Sequence, residues 1–195
     1  MNKTTNIMIV GVGGQGVILA SEIISLAALK EGLDVKKSEV HGMAQRGGSV
    51  VSNVRFGEKV HSPLISKGEA NILLAFEKLE ALRWVDHLEE NSTIVTNTQR
   101  IDPLPVALGK AKYPADVLDK LKETNHKVIS VDALNIARQV GNQKVINTVL
   151  LGALCKEVGI SEESFMEALK ERVPQGTIDI NTTAFEKGSE KGVEL

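Results

Sequence analysis

Two glycine-rich segments of this sequence could do chemistry through their backbone. The first, Gly11–Gly16 (GVGGQG), has the spacing G-x-G-x-x-G and lies between two apolar stretches. Glycines at this spacing permit positive φ angles, close approach to a ligand and tight packing of a helix on a strand. A helix that follows would offer unpaired N–H groups and a partial positive charge to a phosphate. The candidate cofactor-binding residues here are Gly11, Gly13, Gly14, Gln15 and Gly16.

The second segment, His41–Gly48 (HGMAQRGG), places an arginine beside two glycines between two predicted strands. A guanidinium in this position can reach an anionic group that approaches the backbone closely, or a partner subunit. It could instead stabilise the loop by donating hydrogen bonds to backbone carbonyls. On the functional interpretation the further candidates are Gln45, Arg46, Gly47 and Gly48.

The first glycine segment has two interpretations that the residues alone leave open. A dinucleotide site needs an acid at the end of the second strand to hold a ribose, and Glu39 stands 23 positions after Gly16. That interpretation gives a stand-alone NAD(P)- or flavin-binding protein. The other is that the glycines only allow tight strand–helix packing and contact with another chain. The loop after Glu39 is not an ordinary strand-to-helix turn, which argues against the nucleotide interpretation.

The elements that must position these segments form a β-loop-α-β unit. The apolar run Ile7–Val10 predicts a buried strand, Val17–Lys30 predicts a helix that is apolar on nearly every side, and Leu33–Val40 predicts a second strand. This order favours a parallel sheet with a crossover helix. Further strands are predicted at 49–56, 71–76, 93–96 and 127–131, and the chain after Asp132 has helical spacing only.

We therefore predict an α/β fold with three layers, α/β/α, around a mostly parallel or mixed Rossmann-like sheet, followed by a helical C-terminal part. The whole chain, residues 1–195, is predicted to be one domain. Lys127–Val131 is predicted to be the last strand and the polar Lys187–Leu195 to be frayed.

Two predictions concern the helix expected at Glu77–Leu88. The acids of this region are predicted to form a solvated helix face: Glu77, Glu80, Glu89 and Glu90. Its neighbouring apolar side chains are candidates for a subunit contact, because aromatic residues are scarce in this chain and enriched at interfaces: Phe76, Leu79 and Trp84.

Composition excludes several classes of protein. The 195 residues carry 23 Lys+Arg and 25 Asp+Glu, a formal charge of −2, so nothing favours a nucleic-acid partner. The single cysteine, Cys155, excludes an internal disulfide or a Cys-based metal cage and is predicted to be a buried apolar group in a helix. The four histidines lack ligand spacing, so no metal site is expected. No signal peptide or membrane span is expected, and a cytoplasmic location is predicted.

With both glycine segments in view, the sequence resembles the gamma subunits of 2-oxoacid:ferredoxin oxidoreductases. The resemblance covers nearly the whole chain, and EVHGMAQRGG at Glu39–Gly48 is most similar to the indolepyruvate branch of that family. The matching stretches are Gly11–Val17, His41–Val50, Val54–Gly57, Ser62–Ile65, Leu73–Arg83, Asn147, Leu150–Ala153, Asn181–Phe185 and Gly188.

The resemblance implies a reaction and a division of labour. An aryl 2-oxo acid such as indolepyruvate would be oxidatively decarboxylated on thiamine diphosphate, two electrons would pass through 4Fe-4S clusters to ferredoxin, and the acyl group would go to coenzyme A. Thiamine diphosphate, Mg and the clusters are expected in a large alpha subunit. This chain would be its non-redox partner in a heterodimer, with both glycine segments facing that subunit or its cofactor pocket.

The composition of this sequence agrees with a cofactor-bearing alpha subunit and a non-redox small subunit. Oxidative decarboxylation needs an electron sink and a one-electron relay, and no side chain of this sequence supplies either. The Gly-Asp-Gly motif typical of thiamine diphosphate sites is also missing from the sequence. We therefore expect the isolated chain to bind no cofactor of its own and to be inactive.

Overall fold

The fold is built on a seven-stranded mixed sheet with helices on both faces. A computed structural model describes residues 4–41 and 48–195. In the sheet the strand order is β2-β3-β1-β4-β5-β6-β7. The strands are Thr5–Val12 (β1), Asp34–His41 (β2), Ser49–Gly57 (β3), Ala70–Ala75 (β4), Leu88–Asn97 (β5), Lys127–Val131 (β6) and Val193–Glu194 (β7). The helices are Val17–Lys30 (α1), Lys78–Trp84 (α2), Leu104–Ala107 (α3), Val117–Lys122 (α4), Ala133–Val140 (α5), Ile146–Cys155 (α6), Glu162–Arg172 (α7) and Ile178–Lys191 (α8).

Strand direction confirms the predicted mixed sheet. β1, β4, β5 and β6 are parallel neighbours, whereas β3 pairs antiparallel with both β1 and β2, and β7 pairs antiparallel with β6. β1 and β2 therefore run the same way, as the β-loop-α-β pattern predicts. They are not neighbours, because β3 lies between them.

The central strands are apolar on both sides because each face of the sheet is covered. Along β1, Ile7 and Ile9 enter the larger core with α1, α5, α6, α7 and α8. The alternate residues Met8 and Val10 enter the smaller core, which also holds side chains from α2 and α4. The three-layer α/β/α prediction is therefore confirmed.

The C-terminal part differs from the prediction. The polar end of the chain is not frayed, because α8 continues to Lys191 and β7 then pairs with β6 at Ile129 and Ser130. β6 is consequently not the last strand. The contact of α8 with α6 includes Gly188 and Gly152, so part of it is made by residues without apolar side chains.

That contact is close enough to make two glycines necessary. A Cβ on Gly152 of α6 would lie 2.0 Å from the carbonyl oxygen of Phe185, and a Cβ on Gly188 of α8 would lie 2.0 Å from the carbonyl oxygen of Val149. Both obstacles are backbone atoms, so the helices themselves would have to separate.

We expect Gly188→Ala to lower the free energy of unfolding by about 1–3 kcal/mol or more, because the added methyl overpacks the α6–α8 contact. Urea denaturation measures this. The control is Gly176→Ala, whose Cβ would have no atom within 4 Å and whose φ is not positive. The control should leave stability unchanged or slightly raised; equal losses in both variants would contradict the packing argument.

Candidate functional site

The carboxyl ends of the parallel strands form one edge of the sheet, and this edge carries the candidate site. After β1 the chain enters α1 on one face, and after the adjacent β4 it enters α2 on the other face. In open α/β sheets, ligands bind in the crevice outside the strand ends at such a switch point. The Gly11–Gly16 segment lies here, because it begins with the last two residues of β1 and leads into α1.

The glycines of the first segment meet three different requirements. Gly14 and Gly16 have φ angles of +98° and +85°, which only glycine adopts readily. A Cβ on Gly11 would lie 2.9 Å from the Phe76 Cβ, so this residue permits close packing against the end of β4. Gly16 lies against the side chain of Asn147, with 3.1 Å between its notional Cβ and the amide nitrogen.

The exit of the second glycine segment lies against the first. The Gly13 N–H donates a 2.9 Å hydrogen bond to the carbonyl oxygen of Gly48. The next residue, Ser49, pairs with Val12 in the sheet. Gln45, Arg46 and Gly47 lie outside the described residues. The structure thus brings Gly48 to the Gly11–Gly16 segment.

Gln15 and Asn97 hold the strand ends together through one backbone oxygen. The Gln15 amide nitrogen donates to the carbonyl oxygen of Phe76 at 3.0 Å, and its amide oxygen accepts from the Val12 N–H at 2.7 Å. The Asn97 amide nitrogen donates to the same Phe76 oxygen at 3.2 Å, and its oxygen accepts from the Ala133 N–H at 3.3 Å. The ends of β1, β4, β5 and β6 are therefore connected.

Sequence reasoning missed Asn97. The signal was present, because Asn97 is a polar residue that ends the apolar run of β5, and it is fully buried. A buried amide in that position must find hydrogen-bond partners at the strand ends.

Beside these residues lies a small open cleft of about 180 Å³. Its lining combines amides, one ammonium and two isoleucines: Gly14, Gln15, Gln99, Ile101, Gln143, Lys144 and Ile146. No carboxylate of the described residues lies within ion-pair distance of Lys144. The N-terminus of α1 begins next to Gly14 and Gly16, and its first turn holds no acidic residue. Both features favour an anionic group in the cleft.

Glu39 does not complete a dinucleotide site. It lies on β2, one strand further from the glycine segment than in the Rossmann arrangement, because β3 is inserted between β1 and β2. Its carboxylate accepts a 2.7 Å hydrogen bond from Lys37 and lies 3.5 Å from the Ser21 hydroxyl. The Glu39 carboxylate therefore lies at the edge strand β2, away from the Gly11–Gly16 segment.

The predicted solvated acidic helix face is wrong. Glu77 and Glu80 are only 1% and 4% exposed, and Glu89 and Glu90 belong to β5. Glu77 caps α2, with one carboxylate oxygen accepting from the Leu79 and Glu80 N–H groups at 2.7 and 3.1 Å. Glu80 accepts a 2.7 Å hydrogen bond from the Ser49 hydroxyl, at the exit of the second glycine segment. The reason for Glu77 is local, because an acid at a helix N-cap turns inward to the free N–H groups.

The expectations for Phe76 and Cys155 have opposite outcomes. Phe76 is fully buried, so its prediction as a subunit contact is wrong. Cys155 is buried in α6 as predicted, and burial raises the pKa of its thiol to about 11.

Within residues 4–41 and 48–195, no three His, Cys, Asp or Glu side chains come together to hold a metal ion. In the same residues, no helix is long and apolar enough to cross a membrane.

Comparison with known proteins now defines the class. The family described as pyruvate ferredoxin/flavodoxin oxidoreductase matches residues 6–191. The chain belongs to this family and is a subunit of an oxidoreductase. Among similar solved structures, the gamma subunit of a keto/oxoacid ferredoxin oxidoreductase from Geobacter sulfurreducens is 27% identical, with a TM-score of 0.74 over 95% of this chain and 96% of that one.

Within the family, the similar curated proteins point to one branch. The indolepyruvate oxidoreductase subunit IorB of Thermococcus kodakarensis is 41% identical over 99% of this chain and 98% of its own length. The IorB subunit of Archaeoglobus fulgidus is 39% identical over 96% of this chain and 95% of its own length. The resemblance to the indolepyruvate branch is thus confirmed.

A third comparison concerns the fold alone. A 2-oxoglutarate:ferredoxin oxidoreductase from Magnetococcus marinus, solved with 2-oxoglutarate, coenzyme A and succinyl-CoA bound, has a TM-score of 0.74 at 20% identity. The match covers 97% of this chain but only 31% of that one. In that enzyme the same fold is therefore part of a much longer polypeptide.

We expect Gln15→Glu to lower the free energy of unfolding by about 1–3 kcal/mol at neutral pH, because a carboxylate cannot donate to the Phe76 carbonyl oxygen. Urea denaturation measures the loss. Gln143→Glu adds the same charge at an exposed position of the same cleft and should change stability little. If both variants lose the same stability, charge at the cleft rather than the hydrogen bond is responsible.

A second prediction concerns Tyr113, the only tyrosine, whose hydroxyl donates to the buried Glu77 carboxylate at 2.6 Å. Burial, with the hydrogen bond to Glu77, raises the pKa of Tyr113 above its ordinary value of 10.0. A raised folded-state pKa means that the tyrosine's contribution to stability is complete below about pH 10 and is lost as the pH rises further.

The free energy of unfolding of the wild type, measured relative to Tyr113→Phe, should therefore be constant up to about pH 10 and fall above it. Removing the hydroxyl should cost about 1 kcal/mol at neutral pH. Urea denaturation across the pH range measures both values, and phenolate absorbance should appear at lower pH in urea than in the folded protein. A difference that grows with pH would contradict the raised pKa.

Proposed function

We propose that this chain is the small, non-redox subunit of an indolepyruvate (arylpyruvate):ferredoxin oxidoreductase that converts the oxo acid to an acyl-CoA. The observation that carries the proposal is the 41% identity to an IorB subunit over 99% of this chain. The chain would act as one domain, residues 1–195, in a cytoplasmic heterodimer with a large alpha subunit. Ferredoxin would be reached through the complex, and neither nucleic acid nor membrane is a partner.

The redox groups belong to the large subunit in this proposal. A 4Fe-4S cluster needs four thiolates, and the sequence holds only Cys155. Thiamine diphosphate with Mg would supply the electron sink for decarboxylation, and the clusters would carry electrons singly to ferredoxin. This chain would contribute binding and orientation.

Its binding contribution would come from the carboxyl edge. Lys144 and the amides of Gln99 and Gln143 line a cleft suited to a phosphate, next to the residues that precede α1. Coenzyme A, the co-substrate of the proposed reaction, carries such groups. We infer that the two glycine segments supply this chain's cofactor-binding residues: Gly11, Gly13, Gly14, Gln15, Gly16, Gln45, Arg46, Gly47 and Gly48.

Reconstitution tests the assignment. The chain, the large subunit and an equimolar mixture should be assayed for arylpyruvate-dependent reduction of ferredoxin with coenzyme A. Turnover should need both subunits, with little from this chain alone. Substantial turnover by this chain alone, or tight calorimetric binding of NAD(H), NADP(H) or FMN to it, would overturn the proposal in favour of a stand-alone enzyme or nucleotide-binding protein.

In the reconstituted enzyme, Lys144→Ala should raise the KM for coenzyme A about tenfold while kcat changes little, because an ammonium that only binds phosphate stabilises ground and transition states equally. Steady-state kinetics with varied coenzyme A measures the split. Lys170→Ala, an exposed lysine on α7, is the matched control and should change neither constant. A fall in kcat without a change in KM would contradict the assigned role.

A further inference from the structure

Residues 102–112, here called the Leu104 loop, connect β5 to α4 and have a defined conformation without a core of their own. Its centre is the single helical turn α3. The loop then closes on itself: the N–H groups of Lys110 and Ala111 both donate to the carbonyl oxygen of Pro105, at 2.8 and 3.1 Å, while Gly109 adopts a φ of +69°. Such self-bonded surface loops with close ends are frequently functional.

Both ends of the Leu104 loop are attached to one buried carboxylate oxygen. The Ile101 N–H and the Tyr113 hydroxyl donate to the same Glu77 oxygen, at 3.3 and 2.6 Å. The Arg100 guanidinium lies 4.4 Å from the centre of the Tyr113 ring, which adds a cation–π contact across the two ends. The loop is therefore presented in a fixed position relative to α2.

What this fixed loop presents is apolar. Leu104 is 65% exposed and Leu108 is 59% exposed. They lie one helical turn apart, with the Leu108 N–H bonded to the Leu104 carbonyl oxygen, so both side chains project from the same side of α3. A single exposed leucine is ordinary, but a pair on a preorganised loop beside a cleft is typical of an interaction site.

The loop also carries free positive charge. Lys110 and Lys112 are exposed, and no carboxylate among the described residues lies within ion-pair distance of either. Two unpaired ammonium groups next to two exposed leucines match a partner surface with an apolar recess and an acidic rim.

We propose that the Leu104 loop docks the large subunit of the enzyme, inserting Leu104 and Leu108 into an apolar recess bordered by carboxylates. This inference rests on the proposed function, which requires such a subunit. The loop begins next to Gln99 and Ile101 of the cleft, so a subunit seated on it would also cover the cleft.

The charges favour the large subunit over a second copy of this chain. A symmetric contact between two copies places the same residues opposite each other. Centred on the Leu104 loop, it would bring two pairs of unpaired lysines together, and like charges at an interface cost association free energy. A larger subunit with a different sequence has no such constraint.

The test measures association of this chain with its purified large subunit, by surface plasmon resonance on the full-length proteins. The double variant Leu104→Asp/Leu108→Asp should weaken the dissociation constant by about 100-fold or more, because carboxylates cannot enter an apolar recess. Its midpoint of urea unfolding should match the wild type, since both leucines are exposed. Lys110→Glu/Lys112→Glu should weaken association about tenfold at low salt, and the difference should shrink as salt is added.

The matched control is Leu64→Asp. Leu64 is 63% exposed and lies between β3 and β4, at the opposite edge of the sheet. It should change the dissociation constant less than about twofold, the range expected of a surface residue outside the contact. Unchanged binding by the Leu104 and Leu108 variant would overturn the docking assignment while leaving the proposed function intact.

Two other outcomes also decide the question. If the wild-type chain and the large subunit do not associate at all, the proposed function fails and this inference fails with it. Analytical ultracentrifugation tests whether the wild-type chain self-associates. If it does, and if Leu104→Asp/Leu108→Asp abolishes self-association without weakening binding of the large subunit, the loop binds a second copy of this chain. That outcome overturns the proposal.

Discussion

The carbonyl oxygen of Phe76 is the point on which the carboxyl edge depends. Phe76 directly follows β4, and its oxygen accepts hydrogen bonds from Gln15 and Asn97, so one backbone atom connects the loop after β1 to the end of β5. Asn97 extends the connection to the start of α5 through Ala133. The ladder pairing of β4 stops at Ala75, so the side-chain amides supply hydrogen bonds to a carbonyl that no neighbouring strand pairs with.

The next residue, Glu77, connects α2 to the Leu104 loop at the same edge. Its carboxylate caps α2 and also accepts from both ends of the Leu104 loop. A buried carboxylate is stable only when its oxygens are satisfied, and here backbone N–H groups and a phenol do so. The same acid that begins a helix therefore fixes a loop that is distant from the core.

The features that carry the proposed binding role lie together at this edge. The glycine segment, the cleft with Lys144 and the Leu104 loop all border one side of the sheet. The opposite faces of the sheet are occupied by packed helices, which include the α6–α8 contact made through Gly152 and Gly188. The proposed binding and docking features thus lie where loops and backbone groups are available, whereas the close helix packing lies on the faces of the sheet.

By itself, the sequence determined the layers and the glycine loop. The apolar run Ile7–Val10 predicts a buried strand, and the spacing of Gly14 and Gly16 predicts a turn with positive φ angles. Both features depend only on residues that are neighbours in sequence. Only the tertiary structure decided that β3 separates β1 from Glu39, that Glu77 and Glu80 turn inward, and that β7 returns to the sheet. Those outcomes depend on pairings between residues distant in sequence, where the free energy of burial and hydrogen bonding overrides local pattern.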